Sequence, residues 1–544
     1  MPLTQTRWPI FAALVVGIAA VAVFWYFVLS NPKGEAVPAS GGRYVEGVTR
    51  AAEQINPLFA QSNPTDADLA SLIFSGLVRL GADGLPQPDL AERWEITGNG
   101  RNYVFHLRDG VAWHDGADLT ADDVVFTFGA IADPEFRGDP VLAQLMQGVV
   151  IRARDPLTVE FRLEQAYAPF LAYLNVGILP QHLLDGLDAD GLANTPFNAD
   201  PVGTGPYTFA GRTSDGVRLE ANPTYYLGPP RISRLDFRVY PDGDALAAAL
   251  RDGAADGALL DPATPRAQLD VLGGEEGFSL HRLTSMSFNA AYLNIDSPIF
   301  ADPTVRRALQ RAIDVTALIV ALSPGGEGTP AGIPPGSWAY TPVEVPSFSP
   351  GQAASALEQA GWPRGQDGVR NRGGLRLAFT LSTTNDPLRV AIAEEIARQW
   401  RAVGASVTVQ PLDAGTYIDE HLLPRRFEAA LVLVDPGPDP DPYPFWHSSQ
   451  IAPPGRNLAK LFDTSIDDML ERARQTTEVD RRRELYAEFQ DAFVAAVPAL
   501  PLYAPGYTYA QSPRVQGFAD ALLITASSRF ASVREWYVRT RVED

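Results

Sequence analysis

Three aspartates, Asp435, Asp439 and Asp441, alternate with prolines in the run DPGPDPDPYPFWHSS at residues 435–449. Carboxylates gathered this closely can receive a cation, either an organic amine or a metal ion. Pro436, Pro438, Pro440 and Pro442 forbid the geometry of a calcium loop, and the glycine is misplaced for one. On the residues alone, a plain Asp-Pro turn and a ligand loop both remain open.

Other chemistry is largely excluded. The chain has no G-x-S-x-G elbow, no H-E-x-x-H and no G-x-x-x-x-G-K-[ST] phosphate loop. Lys33 and Lys460 are its only lysines, so a Ser-x-x-Lys pair is absent. The histidines His106, His114, His182, His281, His421 and His447 are scattered, none at ligand spacing from another, and no metal site or cofactor is expected. His114-Asp115-Gly116 reads as a hairpin turn rather than a base beside a carboxylate. The lone G-x-G of GTGPY, residues 203–207, lacks the third glycine of a dinucleotide fingerprint and reads as a tight crossing. With no cysteine, disulfides, thiolate sites and a lipid-modified cysteine are all ruled out.

The elements that would position the aspartates follow from periodicity. Residues 427–434 (FEAALVLV) predict a strand whose carboxyl end runs into Asp435. Before it come an alternating strand at 375–381, a helix at 387–403 closed by Gly404, and a strand at 406–410. Strand, helix, strand is a βαβ unit, which implies a parallel sheet with ligands at the carboxyl ends of its strands. Helices are also predicted from Asp302-Pro303, from Pro350 to Gly361, and over 244–251; further strands fall at 157–163, 217–220 and 235–240. Residues 85–128 are the densest stretch. Tyr103, Phe105 and Leu107 alternate to one face, Asn99-Gly100, Asp109-Gly110 and Asp115-Gly116 supply turns, and Thr120 caps a helix carrying Val124, Phe128 and Ile131.

The 544 residues suffice for two to four domains with a sizeable core, and the net charge of -21 disfavours nucleic acid or an anionic membrane surface as the main partner. Residues 8–32 carry no charge, and the core at 11–29 (FAALVVGIAAVAVFWYFVL) matches the roughly 20 apolar residues of a membrane span. Trp25 and Tyr26 suit an interface, and Arg7 favours a cytoplasmic start with the body outside. A signal peptide cleaved near Ala39 is the alternative, against which the long apolar run argues. Residues 30–43, rich in Pro, Gly and Ser, read as a flexible linker.

Several motifs together carry a family resemblance. Phe74-Ser75-Gly76-Leu77, LAERW, LRDGVAWHDG and TADDVVF occur in order, followed by GTGPY and Asn222-Pro223-Thr224-Tyr225-Tyr226. Asn289 then precedes DPTVRRALQRAID, and Gly361-Trp362, Asp439-Pro440-Asp441, RRRELYAEFQ and residues 498–503 complete the series. The chain resembles the family 5 extracellular solute-binding proteins, the oligopeptide, dipeptide and nickel group that serves ABC importers, over nearly everything from Arg43 to about Tyr537.

The resemblance implies an α/β, class II periplasmic-binding-protein-like clamshell of two lobes with an extra domain on the first, preceded here by one transmembrane helix. Residues 1–29 would be the anchor or signal sequence and 30–43 the linker. Lobe I would combine 44–56, 196–284 and 506–544, with the extra domain at 57–195 and lobe II at 285–505. No catalysis is implied; the body would be an extracytoplasmic monomer capturing peptides and delivering them to permease subunits, tethered to the membrane through residues 11–29. Oligosaccharide or chelated nickel are the alternative ligands, and a ligand sensor or extracellular hydrolase the alternatives of another class. Peptide-binding members pair an extended peptide's main chain and place a carboxylate on its amine. By that analogy residues 431–434, with Val432 and Val434, form the pairing strand, and Asp435 receives the amine with Asp439 as fallback and Asp441 beside them. Ser62, Asn63 and Thr65 would face the cleft opposite, and Trp338, Tyr443 and Trp446 would supply aromatic walls.

Overall fold

The computed structural model describes residues 35–274 and 277–543. The expected membrane span at 11–29 lies outside them, and among the described residues no helix is long and apolar enough to cross a membrane.

Helix starts follow local chemistry. Helix Ala121–Ala132 begins with a capping box, in which the Thr120 side chain meets the N3 backbone and the Asp123 carboxylate accepts the Thr120 N–H at 2.8 Å. Asp302 caps Pro303–Arg311 and Asp386 caps Pro387–Ala402, each with proline at the first turn, where its missing N–H costs nothing. Strand Asn102–Leu107 pairs with Ala91–Thr97 across a turn in which Asn99 and Gly100 both take positive φ.

These elements assemble on two principal sheets. The first has seven strands and is centred on Arg43–Val48, which runs parallel to Arg234–Val239 on one side and to Gly257–Leu260 on the other. The second has six; Ala378–Thr384 lies parallel to both Ser406–Leu412 and Ala429–Val434, with helix Pro387–Ala402 as the crossover. A four-stranded antiparallel sheet, from Ala91–Thr97 to Val150–Asp155, stands beside the first. Its buried side chains, Phe105 and Phe161 among them, belong to one continuous cluster with Tyr44, Leu219 and Trp536 of the seven-stranded sheet's lobe. The buried side chains that core the second sheet on both faces lie between 288 and 504, with Leu85 packed against them from outside that range. Two lobes with separate cores result, and the small sheet shares the core of the first.

The chain passes between the lobes at two adjacent points. Strand Ser279–Thr284 leads through Ser285 into Phe288–Leu293, and Ala499–Ala504 returns through Pro505 into Gly506–Gln511. The Ser285 N–H donates to the Pro505 carbonyl at 3.1 Å, and Leu523 adds a third segment by exchanging hydrogen bonds with Thr284 and Met286. At Gly506 a Cβ would lie 2.2 Å from the carbonyl carbon of Gly325, so only glycine lets the two backbones touch.

Two sequence expectations change here. Within the stretch read as flexible linker, Glu35–Ala39 is a strand paired antiparallel with Arg539–Glu543, Glu35 opposite Glu543. Backbone pairing across some five hundred residues leaves no local apolar period to read. GTGPY is tight because Gly203 and Gly205 lie against the end of helix Pro64–Ile73, where a Cβ on Gly203 would meet the Ile73 carbonyl oxygen at 1.9 Å; it does not cross between the lobes. His114 braces this contact, its Nε2 3.0 Å from the Gly205 carbonyl and its Nδ1 accepting the Gly203 N–H.

Candidate functional site

Strands Arg43–Val48 and Gly257–Leu260 run parallel, and their carboxyl ends open into a cavity of about 840 Å³. Val48, Arg50, Thr65, Leu260, Asp261 and Tyr507 are among its lining residues. This is the sheet edge at which open α/β structures take ligands. Thr65 is held there by its hydroxyl donating to the Arg50 carbonyl at 2.8 Å. Neighbouring Asn63 caps helix Pro64–Ile73 and donates to the Ala51 carbonyl, so its amide is occupied, while Ser62 offers its carbonyl to Arg50.

From the second lobe, strand Ala429–Val434 approaches the same space. It pairs with Phe288–Leu293 along its whole length on one side, but on the other it meets Ala378–Thr384 only at Ala429 and Ala430. Residues 431–434 therefore present a strand edge with no strand beside it among the described residues. The Tyr417 hydroxyl donates to the Leu431 carbonyl at 2.8 Å, marking where the sheet stops, and Leu433 is 40 % exposed. Val432 is half-buried and Val434 lies in the lobe's core, so these two contribute backbone more than side chain.

The strand ends on Asp435, which is exposed; its carboxylate accepts the Gly437 N–H at 3.0 Å, and no ion pair involves it among the described residues. Asp439 and Asp441 are different. Each is 4 % exposed and each is paired, Asp439 to Arg482 through two contacts of 3.0 and 2.8 Å and Asp441 to Arg474 at 2.7 Å. Burial pushes the Asp439 carboxyl up, opposed by Arg482; burial disfavours the charge of Arg482 too, but Asp439 holds it protonated. Neither carboxylate is free for a ligand. Three Asp-Pro steps that look alike in sequence thus divide into one exposed acid and two structural ones.

Asp441 in turn aims Arg474, whose guanidinium lies 3.6 Å over the Tyr443 ring and 5.1 Å over that of Tyr167, a residue from beside the four-stranded sheet. The opposite contact of Tyr443 is a stack on His447 at 4.0 Å. Tyr443 is therefore part of a contact between lobes. Trp338 and Trp446, expected as pocket walls, are core residues: Trp338 packs under Arg482, and Trp446 is 1 % exposed and stacked on Tyr292. Helical and strand periods do not separate an aromatic wall from an aromatic core.

The sequence reading passed over Arg389. It sits in the first turn of helix Pro387–Ala402, just past the carboxyl end of strand Ala378–Thr384, and its Nη1 donates to the Asn289 side chain at 3.2 Å. No carboxylate pairs with it among the described residues, and burial pulls its guanidinium below the usual arginine range. The strand-end rule that pointed to the loop beginning at Asp435 also points to this position. Tyr507 of the first lobe's cavity feels charges of the second: burial pushes its hydroxyl up, Asp261 adds to the rise, Arg389 opposes it and Asp435 adds again. The second lobe thus carries, at the ends of two adjacent strands, an exposed carboxylate, a guanidinium with no ion-pair partner among the described residues, and an open strand edge. Among the described residues no group of three or more His, Asp or Glu is placed to hold a metal ion.

Comparisons with known proteins agree with this architecture. Residues 86–453 match the family described as bacterial extracellular solute-binding proteins, family 5 middle. Protein XP55 of Streptomyces lividans is 31% identical over 497 residues, 87% of this chain and 86% of that protein. The oligopeptide-binding protein AppA of Bacillus subtilis is 28% identical, covering 90% of this chain and 91% of its own. The crystal structure of NikZ from Campylobacter jejuni in complex with Ni(L-His) superposes with a TM-score of 0.70 at 27% identity, covering 91% of this chain and 99% of that one.

Proposed function

The chain belongs to the bacterial extracellular solute-binding proteins of family 5, and from that premise we propose that it captures peptides in its cleft and delivers them to the permease of an ABC importer. The observation that carries the reading is the open edge at 431–434 ending on exposed Asp435, with Arg389, which no carboxylate pairs among the described residues, past the end of the neighbouring strand of the same sheet. Main-chain pairing along that edge is indifferent to side chains and suits a broad range of peptides. Asp435 would receive the α-amine and Arg389 the terminal carboxylate. A charged pair formed out of water is strong only when both partners are present. The oligopeptide-binding relative supports the ligand class.

In this reading lobe I comprises residues 44–56, 196–284 and 506–544, the extra domain 57–195 and lobe II 285–505. The extra domain's share in the first lobe's core supports its moving with that lobe. Ligand bound between the lobes shifts the population toward closure by its better contacts in the closed state. The protein acts as a monomer, carries out no reaction, and is held outside the cytoplasm by residues 11–29. The test is native mass spectrometry of the purified full chain: co-purified peptides, displaced by added peptide, are expected. A chain that carries and binds none from a mixed peptide pool overturns the reading. A chelated metal, as in the nickel–histidine relative, would show as a distinct mass.

A further inference from the structure

Opposite the cleft, the start of strand Arg43–Val48 borders a second cavity of about 450 Å³ whose lining includes Arg43, Arg238, Arg514 and Arg539, with Asp256 as its one lining carboxylate. That carboxylate is fully engaged. Arg514 contacts it at 2.8 and 2.6 Å, and the Val45 N–H donates to it at 2.8 Å. Asp236 next to the cavity is shared by Arg43, Arg218 and Arg234. Arg539 is exposed and has no ion-pair partner among the described residues. Arg238 is paired with Asp215 at 3.3 Å, so Arg539 is the lining arginine left without a carboxylate among the described residues, on a chain whose net charge is -21.

The place matters as much as the charge. Arg539 belongs to the strand paired with Glu35–Ala39, the first described segment of the chain, and only five residues separate Glu35 from the apolar run ending at Leu29. However they are arranged, those residues reach at most roughly 20 Å. We infer that this arginine-lined cavity is a docking site for the anionic phospholipid headgroups of the bilayer that holds residues 11–29, seating the body on its base. Guanidinium groups match phosphate oxygens in bidentate fashion, and the attraction of a surface potential is felt within about 10 Å. Because strand Arg43–Val48 starts at this cavity and ends at the cleft, a seated body turns its cleft away from the membrane, toward arriving solute.

The inference rests on the anchoring reading, and one experiment separates the two. The chain has no cysteine, so Asp252→Cys on the exposed base gives a single donor-label site. Full-length protein is placed in nanodiscs of neutral phosphatidylcholine or of a mixture with phosphatidylglycerol, each with an acceptor on a headgroup. Single-molecule energy transfer then reports near and far populations. A larger near population is expected in the anionic discs, with loss in high salt. Arg539→Gln should cut the near-to-far ratio about fivefold, the factor for one arginine at an anionic surface, and Arg539→Glu further, while neither matters in neutral discs. Equal populations in both lipids, or ratios unmoved by both variants, overturn the seating while leaving the anchor intact. Failure of the protein to travel with the discs overturns the anchor and the seating with it. Peptide binding in the cleft, measured on the same sample, is independent of either result.

Discussion

Arg482 grips Asp439 through two parallel contacts, Nη1 to Oδ2 at 3.0 Å and Nη2 to Oδ1 at 2.8 Å, while its Nη2 also reaches the Tyr486 hydroxyl at 2.8 Å. Both partners are buried, so either one alone would be an uncompensated charge in a low-dielectric interior. Asp439→Asn or Arg482→Gln should cost about 3 kcal/mol of stability, read as a lower urea midpoint with an unchanged slope. Replacing both by apolar residues of similar volume should recover most of the loss. Well below the unfolding transition, peptide affinity of Asp439→Asn should stay within about 0.5 kcal/mol of the parent; a larger change would return Asp439 to the ligand site.

Asp435 and Arg389 are expected to behave in the opposite way, with little effect on stability and a large one on binding. Each of Asp435→Asn and Arg389→Gln should weaken a free peptide by about 2 kcal/mol, roughly thirtyfold. The assignment is checked by crossing variants with ligands in titration calorimetry. An N-acetylated peptide should be insensitive to Asp435→Asn, and a C-amidated peptide to Arg389→Gln. The reverse pairing would exchange the two roles.

The second crossing between the lobes is packed backbone against backbone at Gly506. A methyl there would lie 2.2 Å from the Gly325 carbonyl carbon, and both sides are main chain. Gly506→Ala should push the second crossing segment away from the Gly325 backbone, costing about 2 kcal/mol or more, and widen the distribution of lobe angles. Small-angle scattering with saturating peptide is the measurement; the compaction expected of the parent should be reduced in the variant.

Asp89 sets a pH dependence. Burial raises its carboxyl to about 6, with the Tyr226 hydroxyl, Arg79 and Arg108 opposing the rise. Its ordinary value is 3.8, so between about 4 and 6 the folded protein holds a proton that the unfolded chain has released. Stability from this group is accordingly present at low pH and is lost as pH rises through that window, by about 3 kcal/mol at most. Asp89→Asn keeps an acceptor for Tyr226 but removes the titration. Its stability relative to the parent should therefore be greater at pH 7.5 than at pH 4.5, measured by chemical unfolding at both.

Local rules account for what the sequence disclosed. The capping box at Thr120 and Asp123, the Asp-Pro starts at Asp302 and Asp386, and the alternation of Tyr103, Phe105 and Leu107 involve residues a few positions apart, and each element formed within a few residues of its expected place. The site was legible only where it obeyed the same locality. A strand running into an acid pointed to Asp435, but nothing near Asp439 in sequence discloses Arg482, forty-three positions on, or near Arg389 its contact with Asn289, one hundred positions back. Burial decides which acid is exposed, and burial is a property of the assembled lobes. The same reason hid the roles of Trp338 and Trp446, whose aromatic rings suit a pocket and a core equally well until their neighbours are in place.

The pairing of Glu35–Ala39 with Arg539–Glu543 brings the beginning of the described chain against its end. An attachment made at either end would then leave the body at one location. Chains whose ends meet tolerate circular permutation, and here the cut could be moved to an exposed turn such as Gly373-Gly374, with the old ends joined by a short bridge across the ribbon. An anchor transplanted behind residue 543 would leave the body from the same corner as one placed before residue 35. The order in which the polypeptide is written is thereby uncoupled from the side on which an anchor would hold it.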